Sequence, residues 1–232
     1  MPPRFFNPYG IWIELIYSLV ITLSCFWIYF KTRELYELTS YKGIRYFRNT
    51  FLFFGITSLI RLALHLVGPF GLNFTILEEY EIIDVIFSVM IFFSCLALIN
   101  LVYSLFWKKL EKYSFSKNWV FYLVSIFIAL ISIISRIPVI FLIFQAVLFF
   151  VLIWIVVRYV RHRKTKDKKN KEGFSSLYVI YLLLFGLWIM SNILEFVSYF
   201  SPAIGLIVYG MSIIMFLIIL LRVLKKLNKS LK

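Results

Sequence analysis

Apolar residues fall along this chain in long runs, cut at intervals by short polar or charged segments. Seven runs emerge, at about 9–30, 46–67, 82–106, 119–135, 138–158, 175–200 and 203–224. A helix that crosses a bilayer needs about 20 consecutive, mostly apolar residues. Lipid offers the backbone no hydrogen-bonding partner, so helices that satisfy their own backbone are the natural way to span it. The pattern predicts an all-α, polytopic membrane protein with seven transmembrane helices. Only "SRIP" (Ser135–Pro138) separates the fourth run from the fifth, and six spans is the competing count. No polar segment is long enough to fold separately, so residues 1–232 read as a single transmembrane domain.

Two connections carry further pattern. The stretch "KTRELYELTSYKGIRYFRN" between the first two runs has helical Glu/Lys spacing up to Gly43, the expected stop before the next helix. The segment "LRVLKKLNKSLK" (221–232) has leucines at 221, 224 and 227 among lysines. It is expected to continue the last helix as a short amphipathic, basic tail on the membrane surface.

Composition agrees with the pattern: 62% of residues are hydrophobic and the mean hydropathy is +0.91. An ordinary globular domain has roughly 45–50% apolar residues, too few to resemble this chain. The net charge of +14 would point a soluble protein toward nucleic acid, but here its distribution matters more. Basic residues crowd the first-to-second, third-to-fourth and fifth-to-sixth connections and the C-terminal tail. Of the 25 Lys and Arg, only Arg4, Arg61 and Arg136 lie elsewhere. The second-to-third connection is acidic, "LEEYEIID". The positive-inside rule then places the N-terminus outside and the C-terminus in the cytoplasm of a multi-pass cell-membrane protein. The basic cytoplasmic loop 159–174 is expected to meet anionic membrane lipids, not nucleic acid.

The N-terminal "MPPRFFNPYG" lacks the form of a cleaved signal peptide, so the first run is expected to remain as an anchor. Cys25 and Cys95 both fall inside runs and read as small packing residues. Asn73 opens a formal glycosylation sequon, "NFT".

Ionisable residues inside a span are costly and mark candidate functional sites. Arg61 lies about 9 Å below the outer end of the second run at 1.5 Å per residue. Helical side chains lean toward the helix N-terminus, here the membrane centre, so Arg61 needs an acid or water. Thr57, Ser58, Arg61 and His65 share one helical face, and Trp188, Asn192, Glu195 and Tyr199 share another. Glu195 is expected at the depth of Arg61, which makes a structural ion pair between them. Glu14 and Asp84 fall in the same outer half. The expected ligand or ion site is therefore Glu14, Arg61, His65, Asp84, Asn192 and Glu195, over a sealed, apolar inner half. The sequence holds no Ser-His-Asp grouping, Gly-rich phosphate loop or zinc-ligand set, so no catalytic residue, metal or cofactor is expected.

The arrangement resembles the microbial rhodopsins and heptahelical receptors in topology. Retinal proteins of that kind carry a lysine within the seventh helix; "SPAIGLIVYGMSIIMFLIILLRVL" has none before Lys225. The stretch "ELYELTSYKGIRYFRNTFLFFGITSLIR" resembles small archaeal seven-helix membrane proteins of uncharacterised function and the membrane sensor modules of some histidine kinases. These resemblances imply a sensor or receptor-like protein that signals through a separate partner. An ion- or proton-coupled transporter and a non-catalytic membrane subunit or assembly factor are the competing expectations.

Overall fold

In the computed structural model, the described residues are 8–67, 80–110, 118–135 and 202–230, with Val147, Phe150, Leu183, Leu184 and Gly186. Among them the chain is all α-helical. Helix α1 spans Pro8–Thr39, α2 Lys42–Val67, α3 Tyr80–Leu110, α4 Asn118–Ser135 and α5 Pro202–Ser230. Pro8 and Pro202 open α1 and α5, where a missing N–H costs nothing and a fixed φ suits the first turn. The fifth and sixth expected spans, the basic loop 159–174 and Asn73 lie outside the described residues, apart from the few single positions named above.

The exposed surface is that of a protein in lipid. Along α1, Trp12, Ile16, Leu19, Leu23, Trp27 and Phe30 recur at spacings of four and three and are 47–66% exposed. On its other side Tyr17, Ile21, Cys25 and Ile28 are buried. Both faces are apolar, which only a hydrocarbon solvent tolerates. Three helical segments, Trp12–Thr39, Lys42–Leu64 and Gly205–Lys225, are long and apolar enough to cross a membrane. Shorter apolar stretches run over Ser88–Ser104 and Trp119–Ile131. These mark the chain as a membrane protein.

Helix neighbours follow from their contacts. Helix α1 packs on α2 and α5, α2 on α3, and α3 on α4. Cys25 meets Gly55 while Tyr29 and Tyr36 meet Arg48, so α1 and α2 are antiparallel. Phe53 pairs with Phe93 and Tyr46 with Tyr103, so α2 and α3 are antiparallel too. Tyr209 touches Tyr17, and Phe216 stacks on Phe54 near Gly55, so α5 runs parallel to α1. The buried core joins Tyr17, Ile21, Cys25 and Ile28 to Phe51, Leu98, Leu101, Phe216, Ile219 and Val223. Cys25 and Cys95 are both free and buried in packing positions. A helical Leu184 joins the core, and Gly186 lies close to Met215.

One boundary differs from expectation. Helix α1 outlasts its apolar run because Lys31–Glu34 and Arg33–Glu37 brace the added turns at 3.2 and 2.8 Å. It stops at Ser40 and not at Gly43. Ser40 adopts φ 50°, and its N–H donates to the Tyr36 carbonyl at 2.8 Å, the closing bond of a left-handed helix cap. Gly43 instead sits in the first turn of α2. A Cβ there would lie 2.6 Å from the Tyr41 ring and 2.9 Å from Trp107 Nε1. The glycine makes room for Tyr41 and Trp107, which meet edge-to-face at 5.0 Å. In the tail, α5 does continue to Ser230. Its bundle-facing residues are Ile219 and Val223, while Leu221 is exposed.

Candidate functional site

Glu14, two turns into α1, is half-buried at the end of the bundle opposite the basic α1–α2 turn. Its Oε1 accepts a hydrogen bond from the Tyr209 hydroxyl of α5 at 2.7 Å. The Tyr209 ring packs edge-to-face on Tyr17 at 5.0 Å, so one tyrosine is held at its tip by α1's acid and along its side by α1's ring. Arg61 of α2 is also half-buried and acts on Tyr209 electrostatically, as does Glu14. An acid and a phenol from two helices therefore bond, within electrostatic reach of a guanidinium on a third. Local sequence places them simply. Gly55 lets α2 approach α1, since its absent Cβ would lie 3.1 Å from Cys25 Cβ. Arg61 then follows about 9 Å further along α2.

One turn deeper, the polar groups change character. Ser18 and Thr22 of α1 and Ser212 of α5 are buried, and their hydroxyl oxygens have no hydrogen-bond partner. An unsatisfied buried hydroxyl costs about 1–3 kcal/mol. Toward the basic end several buried hydroxyl and amide groups are satisfied within their own helices. Thr32 Oγ1 donates to the Ile28 carbonyl at 2.7 Å, Thr50 Oγ1 to Tyr46 at 3.1 Å and Asn100 Nδ2 to Leu96 at 2.8 Å. Ser104 Oγ donates to the Leu101 carbonyl at 2.7 Å. Such groups are neutral passengers in a helix interface. Ser125 Oγ of α4, away from the cluster, is also buried without a partner, while Thr57 Oγ1, one turn from Arg61, donates to the Phe53 carbonyl at 3.1 Å. The unpartnered hydroxyls of Ser18, Thr22 and Ser212 leave places next to the Glu14 cluster where a water, an ion or a polar ligand gains from binding.

Of the six expected site residues, Glu14 and Arg61 each act electrostatically on Tyr209. His65 and Asp84 lie on α2 and α3, and their side chains are outside the described residues. Asn192 and Glu195, with the expected Arg61–Glu195 pair, lie outside them as well. Tyr209 was legible only as a polar position on the seventh run, and nothing in the sequence paired it with Glu14. A signal was present: tyrosine buried in a span needs an acceptor for its hydroxyl. Among the described residues no group of three His, Cys, Asp or Glu converges as a metal site would.

A protein of Archaeoglobus fulgidus that carries the name "Uncharacterized protein" is 32% identical over 230 residues, which cover 98% of this chain and 98% of its own. No family model matches the chain. No solved structure matches it.

Proposed function

The chain belongs to one family with the Archaeoglobus fulgidus protein, and on that premise we propose that it is a heptahelical, sensor or receptor-like protein of the cell membrane. In this reading the N-terminus is outside and the C-terminus cytoplasmic. Glu14, Arg61 and Tyr209 line an outward-facing polar cavity that takes a small polar ligand or a proton. His65, Asp84, Asn192 and Glu195 complete its wall, with Glu195 sharing the charge of Arg61. The change passes along the helices to the basic cytoplasmic segments and on to a separate signalling partner. Those segments hold anionic lipid.

The observation that carries this reading is the Tyr209–Glu14 bond within electrostatic reach of Arg61. The bond joins α1 and α5, so any change in the charge of Glu14 alters how those two helices hold together. The unpartnered hydroxyls of Thr22 and Ser212 favour a second reading, an ion- or proton-coupled transporter, because they extend polar footholds deeper into the bundle.

Access tests the proposal. With Cys25 and Cys95 replaced by alanine, Ser18→Cys should react with a membrane-impermeant maleimide added outside intact cells. Labelling that is blocked by a bulky Glu14→Trp substitution supports an open outer cavity. A cysteine that reacts only after solubilisation would make the cluster an internal lock.

A further inference from the structure

At the other end of the bundle, Arg48 of α2 is held in an unusual way. Its guanidinium carbon lies 5.3 Å from the centre of the Tyr29 ring and 5.4 Å from that of Tyr36. The two tyrosines are seven residues apart on α1, so their Cα atoms are separated by about 10.5 Å along the axis. The guanidinium therefore sits midway between two rings. Its Nε is buried and has no hydrogen-bond partner. Cation–π contact offsets part of the cost of burying charge, but the rings supply no anion. Arg45, one turn earlier on α2, is exposed and pairs with no described carboxylate. The nearby acids of α1 are already committed, Glu34 to Lys31 and Glu37 to Arg33. An arginine stays charged under any ordinary condition, so this end of α2 carries two positive groups with no described counter-charge.

The surroundings are those of a membrane–water boundary. Tyr41, which is exposed, meets Trp107 at the same end, and aromatic side chains of this kind collect at the headgroup level. Helical side chains lean toward the N-terminus, so Arg48 leans from the span back toward that boundary. We propose that Arg48, clamped by Tyr29 and Tyr36 and assisted by Arg45, binds the phosphate of an acidic phospholipid headgroup. The clamp holds the plane of the guanidinium fixed. Its remaining N–H groups then present a planar fork that matches phosphate oxygens, and little entropy is left to lose on binding. The site is independent of the Glu14 cluster, and either can fail without the other.

The test uses the full chain in a neutral detergent. Melting is followed on adding phosphatidylglycerol, diacylglycerol or inorganic phosphate, and retained lipid is counted by native mass spectrometry. Phosphatidylglycerol should raise the melting temperature and remain bound, while diacylglycerol does neither. Arg48→Gln should weaken the lipid effect about tenfold, a loss of roughly 1.4 kcal/mol. Arg48→Lys should recover only part of it. Should Arg48→Gln fail to fold, the exposed Arg45→Gln serves, with a smaller loss. Removing two tail charges, Lys229→Gln with Lys232→Gln, should leave the effect intact. An equal loss in the tail variant would overturn the proposal in favour of diffuse charge attraction. An equal shift with inorganic phosphate would overturn the lipid as the occupant.

Discussion

Tyr209 donates its hydroxyl to Glu14 at 2.7 Å, although 195 positions separate the two in the chain. The bond fastens the last described helix to the first, beside an arginine from the second. Helices in lipid gain no hydrophobic drive to associate with one another, so polar contacts and close packing decide which of them pair. This contact does both, since the same tyrosine ring also packs on Tyr17.

Removing one side of that bond should be costly. A hydrogen bond to a charged group contributes about 1.5–3 kcal/mol, and Tyr209→Phe should lose a comparable amount in mixed-micelle denaturation. Glu14→Gln should lose less, because its amide oxygen still accepts from the phenol. The double variant should be less unstable than the two losses summed, with a coupling of at least about 0.5 kcal/mol. Strict additivity would mean that the contact carries no energy.

Part of this was legible in the sequence. Glu14 and Arg61 stand out as ionisable groups within apolar runs, and burial in a helix bundle follows from the cost of exposing them to lipid. Tyr209 reads from the sequence as a polar position of the seventh run at a similar level, but not as the partner of Glu14, because periodicity assigns a face to each helix but not the helix it meets. The helix stop was misplaced for a related reason. Glycine is the default residue at a left-handed cap, yet Gly43 is needed where Tyr41 and Trp107 crowd α2, and Ser40 takes the cap instead. Arg48 read as one more positive-inside charge, since nothing local shows that Tyr29 and Tyr36 face it from another helix.

Ser40 has a direct test. A side chain in the left-handed region costs about 1–2 kcal/mol, partly offset in the glycine variant by a freer unfolded chain. Ser40→Gly should therefore raise the melting temperature slightly, by the equivalent of under about 1 kcal/mol. The position is exposed, so no lost packing masks the result. A lower melting temperature would show that Ser40 contributes more than its backbone.

The α1–α2 crossing depends on a missing side chain. A Cβ at Gly55 would sit 3.1 Å from Cys25 Cβ, so the two helices must part for anything larger. Gly55→Leu should cost about 1–3 kcal/mol by overpacking. Cys25→Gly in the same chain should recover part of the loss, since it opens space opposite. Failure to recover would place the strain elsewhere, against the Phe26 ring.

The unpartnered hydroxyls beside the cluster give a contrasting expectation. Ser18→Ala and Ser212→Ala each remove a buried group that lacks a protein partner, so neither should destabilise the empty protein by more than about 0.5 kcal/mol. Both should reduce any stabilisation by the molecule or ion that the cluster binds. Thr32→Ala, whose hydroxyl is already bonded to its own helix, should leave that response unchanged. An identical effect from all three would remove the distinction between the partnered and the unpartnered hydroxyls.

The central claim is that the Glu14 cluster responds to what reaches it and is more than a structural tie. It is tested most directly by melting the purified protein from about pH 5 to 8, with and without sodium, as wild type and as Glu14→Gln. The expected result is a sodium-dependent shift in the wild type that disappears in the variant, with Glu195→Gln weakening it. A flat wild-type profile, with a constant loss of stability in Glu14→Gln, would contradict the claim and leave Glu14 as an anchor for Tyr209.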